Sequence, residues 1–458
     1  MQDGSAKAAK VIGDKSFSGH LKAVAKLGAP VILSRFGMFG IMFADIIMLG
    51  QFDSLQLAYY GLAGTIHFVL FVLGIGALSG VAVLSAQSIG AGEEFKVGTI
   101  WRVGQIYALI MGALAIVLCL PGETLLRLTG QTPEMAAAAD HVLFFQAIGL
   151  PGAFVFIAGS MVLESMRRPG GVFVTMIIAN CANVGLNWLL IAGHGGFPGM
   201  GAAGASLSTS ITRVVMALVI VVWIILKIDR RKYNLFGPMT APWELGKKIR
   251  GLGYALGIAQ GLESAAFASM MIFAAWIGAS EAATWVISVN IISFIFMAAI
   301  GVSMATIVGV GEATGAGSST DAARAGWSGA IIVFAVMAVA GLVLWLFPDT
   351  IARFYSDDDK VILLAIPCLL IAAFNLPGDG LQAVLMGAVR GTGDKWVPTL
   401  LHMAAFVGVM VPAALLFAFV FDFGLPGLMM GITAGTYSAS LMLGWRFHKL
   451  CKHGINRL

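Results

Sequence analysis

The stretch Leu376-Pro377-Gly378-Asp379-Gly380 decides the fold of this chain. It lies inside an apolar run that opens near Val361, so Asp379 is predicted to sit deep in a hydrocarbon layer. A buried charge is costly at such a depth, so an intramembrane acid is by default a candidate functional residue. The proline and the two glycines loosen the helix and free backbone carbonyls beside the acid.

The composition of the whole chain also places it in a bilayer. Of 458 residues, 59% are hydrophobic and only 11% are charged, whereas about a quarter of the residues of a soluble domain are charged. Apolar runs of roughly 20 residues, the length that crosses a bilayer, recur along the chain. They predict an all-α integral membrane protein with twelve transmembrane helices, at 23–50, 58–86, 98–121, 137–162, 168–193, 200–226, 248–277, 282–311, 322–347, 360–388, 395–420 and 425–449.

Three stretches rich in glycine and proline recur in the second half of the chain, at offsets of 225 to 228 positions. The pairs are Gln87–Gly92 with Glu312–Gly317, Leu150–Gly152 with Leu376–Gly378, and Gly196–Met200 with Gly424–Leu428. They indicate a six-helix unit copied once, and chance similarity of loops is the alternative. Because six is even, both copies insert the same way up. We therefore predict two six-helix lobes related by a pseudo-twofold axis along the membrane normal, with substrate between them.

The distribution of basic residues predicts the orientation of the chain. The side that holds both chain ends carries 23 of the 28 lysines and arginines, and the opposite loops carry only Arg127, Arg353 and Lys360. This bias predicts that both termini are cytoplasmic, in a multi-pass protein of the cell inner (plasma) membrane. The basic excess therefore indicates topology and contact with anionic lipid, and it does not favour nucleic acid.

The predicted organisation has five segments. They are a cytoplasmic N-terminal segment (1–22), an N-lobe (23–226), a cytoplasmic linker (227–247), a C-lobe (248–449) and a cytoplasmic tail (450–458). Within the longest hydrophilic stretch, Trp243–Ile249 is predicted either as a short amphipathic helix on the membrane surface or as a solvated loop.

The intramembrane polar residues of the N-lobe fall at one depth. Asp45 lies 19 residues past Lys26, which places it roughly 28 Å from the inner surface at about 1.5 Å per residue. Asn183 and Asn187 come out at a matching depth and, being four apart, share one helix face. One carboxylate and two carboxamides could hold a monovalent cation or a proton. Hydrogen bonds between helices are the alternative role for the asparagines.

Glu263 and Asp379 form a second pair. The same rise per residue places both of them near mid-membrane. Two buried carboxylates in one site cannot both ionise without a counter-charge, which a Na⁺ ion or a shared proton would supply. Structural pairing with Arg35 or Arg213 is the alternative. Glu312, at the end of the eighth span, is predicted to be wetted at the inner surface, and Glu164, Arg167 and Arg390 are predicted to be interfacial.

The sequence lacks the common catalytic motifs, which lowers the expectation of an enzyme. The chain has no phosphate-binding loop, no His-Glu-x-x-His element and no nucleophile elbow, and its seven histidines and four cysteines are scattered. A membrane-embedded enzyme or receptor that uses Glu263 and Asp379 stays as an alternative. The duplication argues against it, because a catalytic site needs no twin lobe.

Several short motifs, taken together and in order, resemble the multidrug and toxic compound extrusion (MATE) transporters, within them the NorM-like branch. The motifs are Asp45–Gly50, Ala86–Gly92, Asn183–Asn187, Glu263 with Phe267, and Asp379–Asp394. The resemblance implies a V-shaped pair of lobes that exports amphipathic, often cationic, compounds as Na⁺ or H⁺ enters. It implies no cofactor other than the coupling ion, and we expect a monomer. A flippase for lipid precursors, of the same broad fold, is the alternative function.

The resemblance also implies site residues. Asp45, Asn183 and Asn187 would form a cation or proton site in the N-lobe, and Glu263 and Asp379 would form a cation site in the C-lobe. Na⁺ could bind at any of the three acids. Where the family can place a threonine in the sixth span, this chain has Ala205, with Ser206 and Thr209 nearby, and we include Thr209 in the N-lobe site. Asn375 stands where an aromatic residue can occur beside the C-lobe acid. The resemblance identifies no substrate-binding residue.

Overall fold

The computed structural model describes residues 16–128, 131–239, 241–354 and 359–455. Most of the predicted N-terminal segment therefore lies outside the described residues, and so do the last three residues of the tail. The described residues form helices joined by short connections, and no strand occurs among them.

In the part of the chain that the structure describes, twelve long helices follow one another close to the predicted positions, and we number them spans 1 to 12. Eleven of those in the described ranges are long and apolar enough to cross a membrane, and span 12 is long enough but less apolar. The predicted all-α fold with twelve spans is confirmed. The spans are Phe17–Phe52, Ser54–Gly90, Lys96–Cys119, Pro133–Ser165, Gly170–Leu190, Gly201–Lys227, Pro242–Ile277, Ala279–Gly315, Ser319–Leu346, Asp359–Gly391, Val397–Val420 and Gly424–His453.

Proline shapes two of the spans in different ways. Span 4 consists of two helices that meet at Gly149, because Pro151 has no N–H to continue the hydrogen-bond ladder. Span 10 remains one helix across Pro377, the matching position of the second copy. Span 11 contains two π-helical turns, which begin at Phe406 and Leu416. The two copies therefore share an order of helices but differ in local geometry.

Span 7 begins earlier than the sequence predicts. Its helix starts at Pro242, so Trp243–Ile249 forms its first turns. This segment is therefore neither a separate surface helix nor a solvated loop, and the two predicted alternatives are both wrong. Two short helices that the sequence did not predict, Gly122–Leu128 and Pro348–Arg353, occupy matching positions before spans 4 and 10.

Contacts divide the chain into two compact units, each with residues from both copies of the repeat. Within the described ranges, the C-unit comprises residues 16–35, Ala86–Gly92 and the part of the chain from Ile258 onward, and the N-unit comprises the described residues of Phe36–Ser85 and Glu93–Gly257. The first part of span 1 thus belongs to the C-unit, and the first part of span 7 belongs to the N-unit. The segment bounds predicted from the sequence remain predictions.

Within the C-unit, the duplicated glycines of spans 2 and 8 make reciprocal contacts. A Cβ atom at Gly90 would collide with the backbone of Glu312, and one at Gly315 would collide with the backbone of Gln87. These four positions are two pairs of repeat partners, each 225 residues apart. Each copy therefore presents the same surface to the other, as in an interface with twofold symmetry.

A second close contact occurs once in each unit. Gly28 lies within 4.0 Å of Val302 in the C-unit, measured from an ideal Cβ, and Gly253 lies directly against the backbone of Ala77 in the N-unit. Gly253 is the repeat partner of Gly28, and Val302 is the repeat partner of Ala77. The duplication predicted from three loop motifs is thus also present in the packing of the helices.

We expect Gly90→Ala and Gly315→Ala each to destabilise the protein by about 1–3 kcal/mol, because the added methyl group has no room against a neighbouring backbone. Thermal unfolding of the purified variants in detergent would measure this loss. Gly61→Ala is the matched control, since a Cβ there meets no atom within 4 Å. Equal melting temperatures for all three variants would contradict the close contact.

Candidate functional site

The structure brings the predicted polar residues of the N-lobe together around Asp45, which is fully buried in span 1. Its Oδ1 atom accepts hydrogen bonds from Nδ2 of Asn187 at 2.7 Å and from Nδ2 of Asn183 at 3.0 Å. Both asparagines come from one face of span 5, as their spacing predicts. They contact the acid directly.

Two hydroxyl groups hold the other oxygen of Asp45. Its Oδ2 accepts from Oγ1 of Thr209 at 2.5 Å and from the Tyr60 hydroxyl at 2.9 Å. Thr209 is therefore the residue of span 6 that reaches the acid, whereas the Ser206 hydroxyl has no hydrogen-bond partner among the described residues. We call Asp45, Tyr60, Asn183, Asn187 and Thr209 the N-cluster.

The two oxygens of Asp45 differ in chemistry. The amide groups beside Oδ1 can only donate, but the hydroxyls beside Oδ2 can reverse and accept. A proton on Oδ2 therefore needs the rotation of only one hydroxyl. The buried Oδ1 of Asn187 has no hydrogen-bond partner in the part of the chain that the structure describes, so it is an acceptor available to a bound cation.

Arg213 lies near the N-cluster but pairs elsewhere. Its Nη1 atom donates to Nε2 of His67 at 2.8 Å, and its guanidinium lies 5.4 Å from the ring centroid of Phe71. Its charge interacts with Asp45 at longer range. Across the described ranges, no lysine or arginine forms an ion pair with Asp45, Glu263 or Asp379.

The two C-lobe acids, Glu263 and Asp379, both lie beside the side-chain amide of Gln382. Nε2 of Gln382, in span 10, lies 3.4 Å from Oδ1 of Asp379 and 3.5 Å from Oε1 of Glu263, in span 7. Nε2 of His402, in span 11, lies 3.2 Å from Oε2 of Glu263. Asp379 is buried and Glu263 is half-buried. We call Glu263, Asp379, Gln382 and His402 the C-cluster.

The imidazole of His402 is held in place by an aromatic ring. It is stacked on Phe406, with ring centroids 4.4 Å apart, and Phe406 opens the first π-helical turn of span 11. Such turns occur often at functional sites. The residue is 2% exposed, and its Nδ1 atom has no hydrogen-bond partner among the described residues. His402 is therefore fixed against Glu263 through Nε2, and its Nδ1 atom remains available as a second hydrogen-bonding group.

Backbone carbonyls around Pro377 accept hydrogen bonds from side chains of span 12. The Tyr437 hydroxyl donates to the carbonyl of Phe374 at 2.9 Å, and the Ser440 hydroxyl donates to that of Gly378 at 2.8 Å. The side chain of Asn375 accepts from Thr436 at 2.7 Å. These contacts fix the helix that carries Asp379 and place Asn375 in a structural hydrogen bond.

One further acid differs from the sequence prediction. Glu312 is almost fully buried, so the prediction that it is wetted is wrong. Glu164 is also fully buried, and its interfacial depth stays a prediction. In Glu312 the cause is visible, since its backbone packs against Gly90.

The sequence reasoning missed three residues of these clusters, namely Tyr60, Gln382 and His402. Gln382 could have been found, because it lies three residues after Asp379 on the same helix face. Tyr60 and His402 come from other spans and carry no local signal. No group of three or more His, Cys, Asp and Glu side chains is placed to hold a metal ion within the described residues.

Comparison with known proteins adds independent information. A sequence model of the MatE family matches residues 30–189 and 255–416, one segment in each half of the chain. A Caulobacter vibrioides protein named "Probable multidrug resistance protein NorM" is 33% identical over 431 residues, which cover 93% of this chain and 90% of that protein. A protein of the same name from Rhizobium meliloti is 30% identical over 446 residues, covering 96% and 95%.

Solved structures share the fold. The crystal structure of the eukaryotic MATE transporter AtDTX14 matches with a TM-score of 0.87 at 19% identity, covering 96% of this chain and 99% of that one. An outward-facing multidrug resistance MATE family transporter matches with a TM-score of 0.88 at 20% identity, covering 97% and 98%.

Proposed function

The chain belongs to the MatE family, and on this premise we propose that it exports amphipathic, often cationic, compounds in exchange for entering Na⁺ or H⁺. The observation that carries the proposal is the pair of buried acid clusters, one in each unit. Negative charge inside a membrane protein suits a site that binds and releases cations.

The two clusters suit different cations. In the N-cluster, four donors surround Asp45, and a proton fits on Oδ2 when one hydroxyl reverses. In the C-cluster, Glu263 and Asp379 share the amide of Gln382, and among the described residues His402 is the other side chain that hydrogen-bonds to either acid. A cation shared by the two carboxylates would balance their negative charge, to which Arg390 adds a longer-range attraction at Glu263.

Coupling requires that the ion and the compound favour different conformations, because equal affinity for both conformations shifts nothing. We propose that a cation entering from outside binds an acid cluster and favours release of the exported compound. Binding of a new compound from inside then favours release of the cation. The lysine and arginine bias supports cytoplasmic termini and insertion in the inner membrane of a bacterial cell.

The test is substrate-induced ion flux in proteoliposomes, with the Na⁺ gradient and the pH gradient set separately. We expect a cationic dye to drive movement of one ion, and we expect dye transport to stop when both gradients are collapsed. Dye transport that continues without either gradient would refute ion coupling. A lipid-scramblase assay on the same proteoliposomes tests the alternative of a lipid-precursor flippase.

We expect His402 to position Glu263 for ion binding. Removing its hydrogen bond to a charged group, worth about 1.5–3 kcal/mol, should raise the ion concentration for half-maximal transport by about tenfold or more in His402→Leu. His402→Gln keeps a donor and should restore most of the ion affinity. Ion titrations of dye efflux measure both variants, and equal values for the two would contradict a positioning role.

A further inference from the structure

A shallow apolar groove lies on the outer face of span 6. It has a volume of about 270 Å³ and ends at Lys227, and its lining residues are Leu218, Val219, Val222, Trp223, Leu226 and Lys227. From Leu218 to Lys227 the helix rises about 14 Å, at 1.5 Å per residue. The indole of Trp223 packs against Gly171, which fixes one wall of the groove. The groove is thus a long apolar seat with a cation at one end.

Two arginines join Lys227 at this end. Nη1 of Arg168 donates to the carbonyl of Lys227 at 3.3 Å, and Nε of Arg230 donates to the carbonyl of Ile225 at 3.0 Å. Both guanidiniums therefore lie at the last turn of span 6. Each has five N–H donors, so several remain for another acceptor.

Within the described ranges, Lys227, Arg168 and Arg230 form no ion pair. Asp229 is close in sequence, but its Oδ1 atom accepts the backbone N–H groups of Lys232 and Arg231. Those hydrogen bonds hold the pKa of Asp229 below its usual value, so the carboxylate stays ionised and bound to the linker backbone.

We propose that this groove binds a phospholipid with an anionic headgroup. One acyl chain lies along Leu218–Leu226, and the phosphate and headgroup bind Lys227, Arg168 and Arg230. A free anion would explain the basic end but not the apolar seat, and a neutral lipid would explain the seat but not three cations. Guanidinium groups bind phosphate oxygens in pairs, and tryptophan is typical of the headgroup level of a membrane.

The position of Trp223 provides a direct measurement. The full chain is placed in nanodiscs with brominated phosphatidylglycerol or brominated phosphatidylcholine, and tryptophan fluorescence is recorded. Subtracting the Trp223→Phe variant isolates the signal of Trp223. We expect brominated phosphatidylglycerol to quench this signal at a mole fraction at least about fivefold lower than brominated phosphatidylcholine.

Three variants separate the specific site from general surface charge. Arg168→Gln/Lys227→Gln/Arg230→Gln should abolish the preference for phosphatidylglycerol, and the matched triple Arg231→Gln/Lys247→Gln/Lys248→Gln should keep it. Val222→Trp fills the groove without a change of charge. The signal of Trp223 in this variant is obtained by subtracting the Val222→Trp/Trp223→Phe double variant. This signal should lose the preference for phosphatidylglycerol as well. Equal quenching by the two lipids in the wild type, or equal loss in both triple variants, would overturn the proposal. An unchanged preference in Val222→Trp would overturn the acyl-chain seat.

Discussion

The Asp379→Asn variant is expected to reach the membrane in normal amount and to export no dye. Asparagine has nearly the shape of aspartate and can still accept from Gln382, so packing in span 10 is kept. It lacks the charge that would hold a cation shared with Glu263. Loss of the carboxylate that pairs with a buried cation costs about 3–5 kcal/mol. This cost corresponds to at least about a hundredfold loss of efflux.

Everted membrane vesicles loaded by dye uptake would measure this loss, with the amount of protein checked on the same membranes. Asp53→Asn is the matched control. The Oδ1 atom of Asp53, an exposed residue, accepts the backbone N–H of Leu55 at 2.8 Å, and asparagine caps a helix as well as aspartate does. Wild-type export by Asp379→Asn would remove Asp379 from the mechanism.

Asp45→Asn should also abolish export while the protein folds. The side-chain oxygen of the new asparagine can accept from Asn183 and Asn187, and its amino group can donate to Tyr60 and Thr209 if their hydroxyls reverse. The variant therefore resembles an aspartate that is permanently protonated. It should bind no further proton, so the N-cluster can no longer alternate between two charge states.

The hydroxyl of Thr209 provides a graded version of this experiment. Thr209→Val keeps the volume but removes a hydrogen bond to a carboxylate, worth about 1.5–3 kcal/mol, and should lower dye efflux by roughly tenfold. Thr209→Ser keeps the hydroxyl and should export normally. Equal activity of the valine and serine variants, or normal resistance in Asp45→Asn, would separate the N-cluster from transport.

The spans could be read from the sequence because each signal is local. A run of about 20 apolar residues has few alternatives to a membrane helix. The four-residue spacing of Asn183 and Asn187 placed them on one face, and their depth matched that of Asp45. The structure adds direct hydrogen bonds between these residues, which local spacing cannot specify.

The other partners could not be read in this way. Tyr60 reaches Asp45 from span 2, and His402 reaches Glu263 from span 11. Both contacts depend on how separate helices are turned about their axes, which is set by packing along their whole length. The different effects of Pro151 and Pro377 have the same origin, because neighbouring helices can satisfy a backbone group that a proline leaves without its partner.

The division of span 1 between the two units has a consequence for biogenesis. Gly28 emerges early from the ribosome, but its neighbour Val302 is made only after spans 2 to 7. At 5–20 residues per second, the interval is on the order of tens of seconds. The C-unit therefore cannot fold as synthesis proceeds, and its first helix must wait in lipid, or beside an insertion factor, until the second half of the chain arrives.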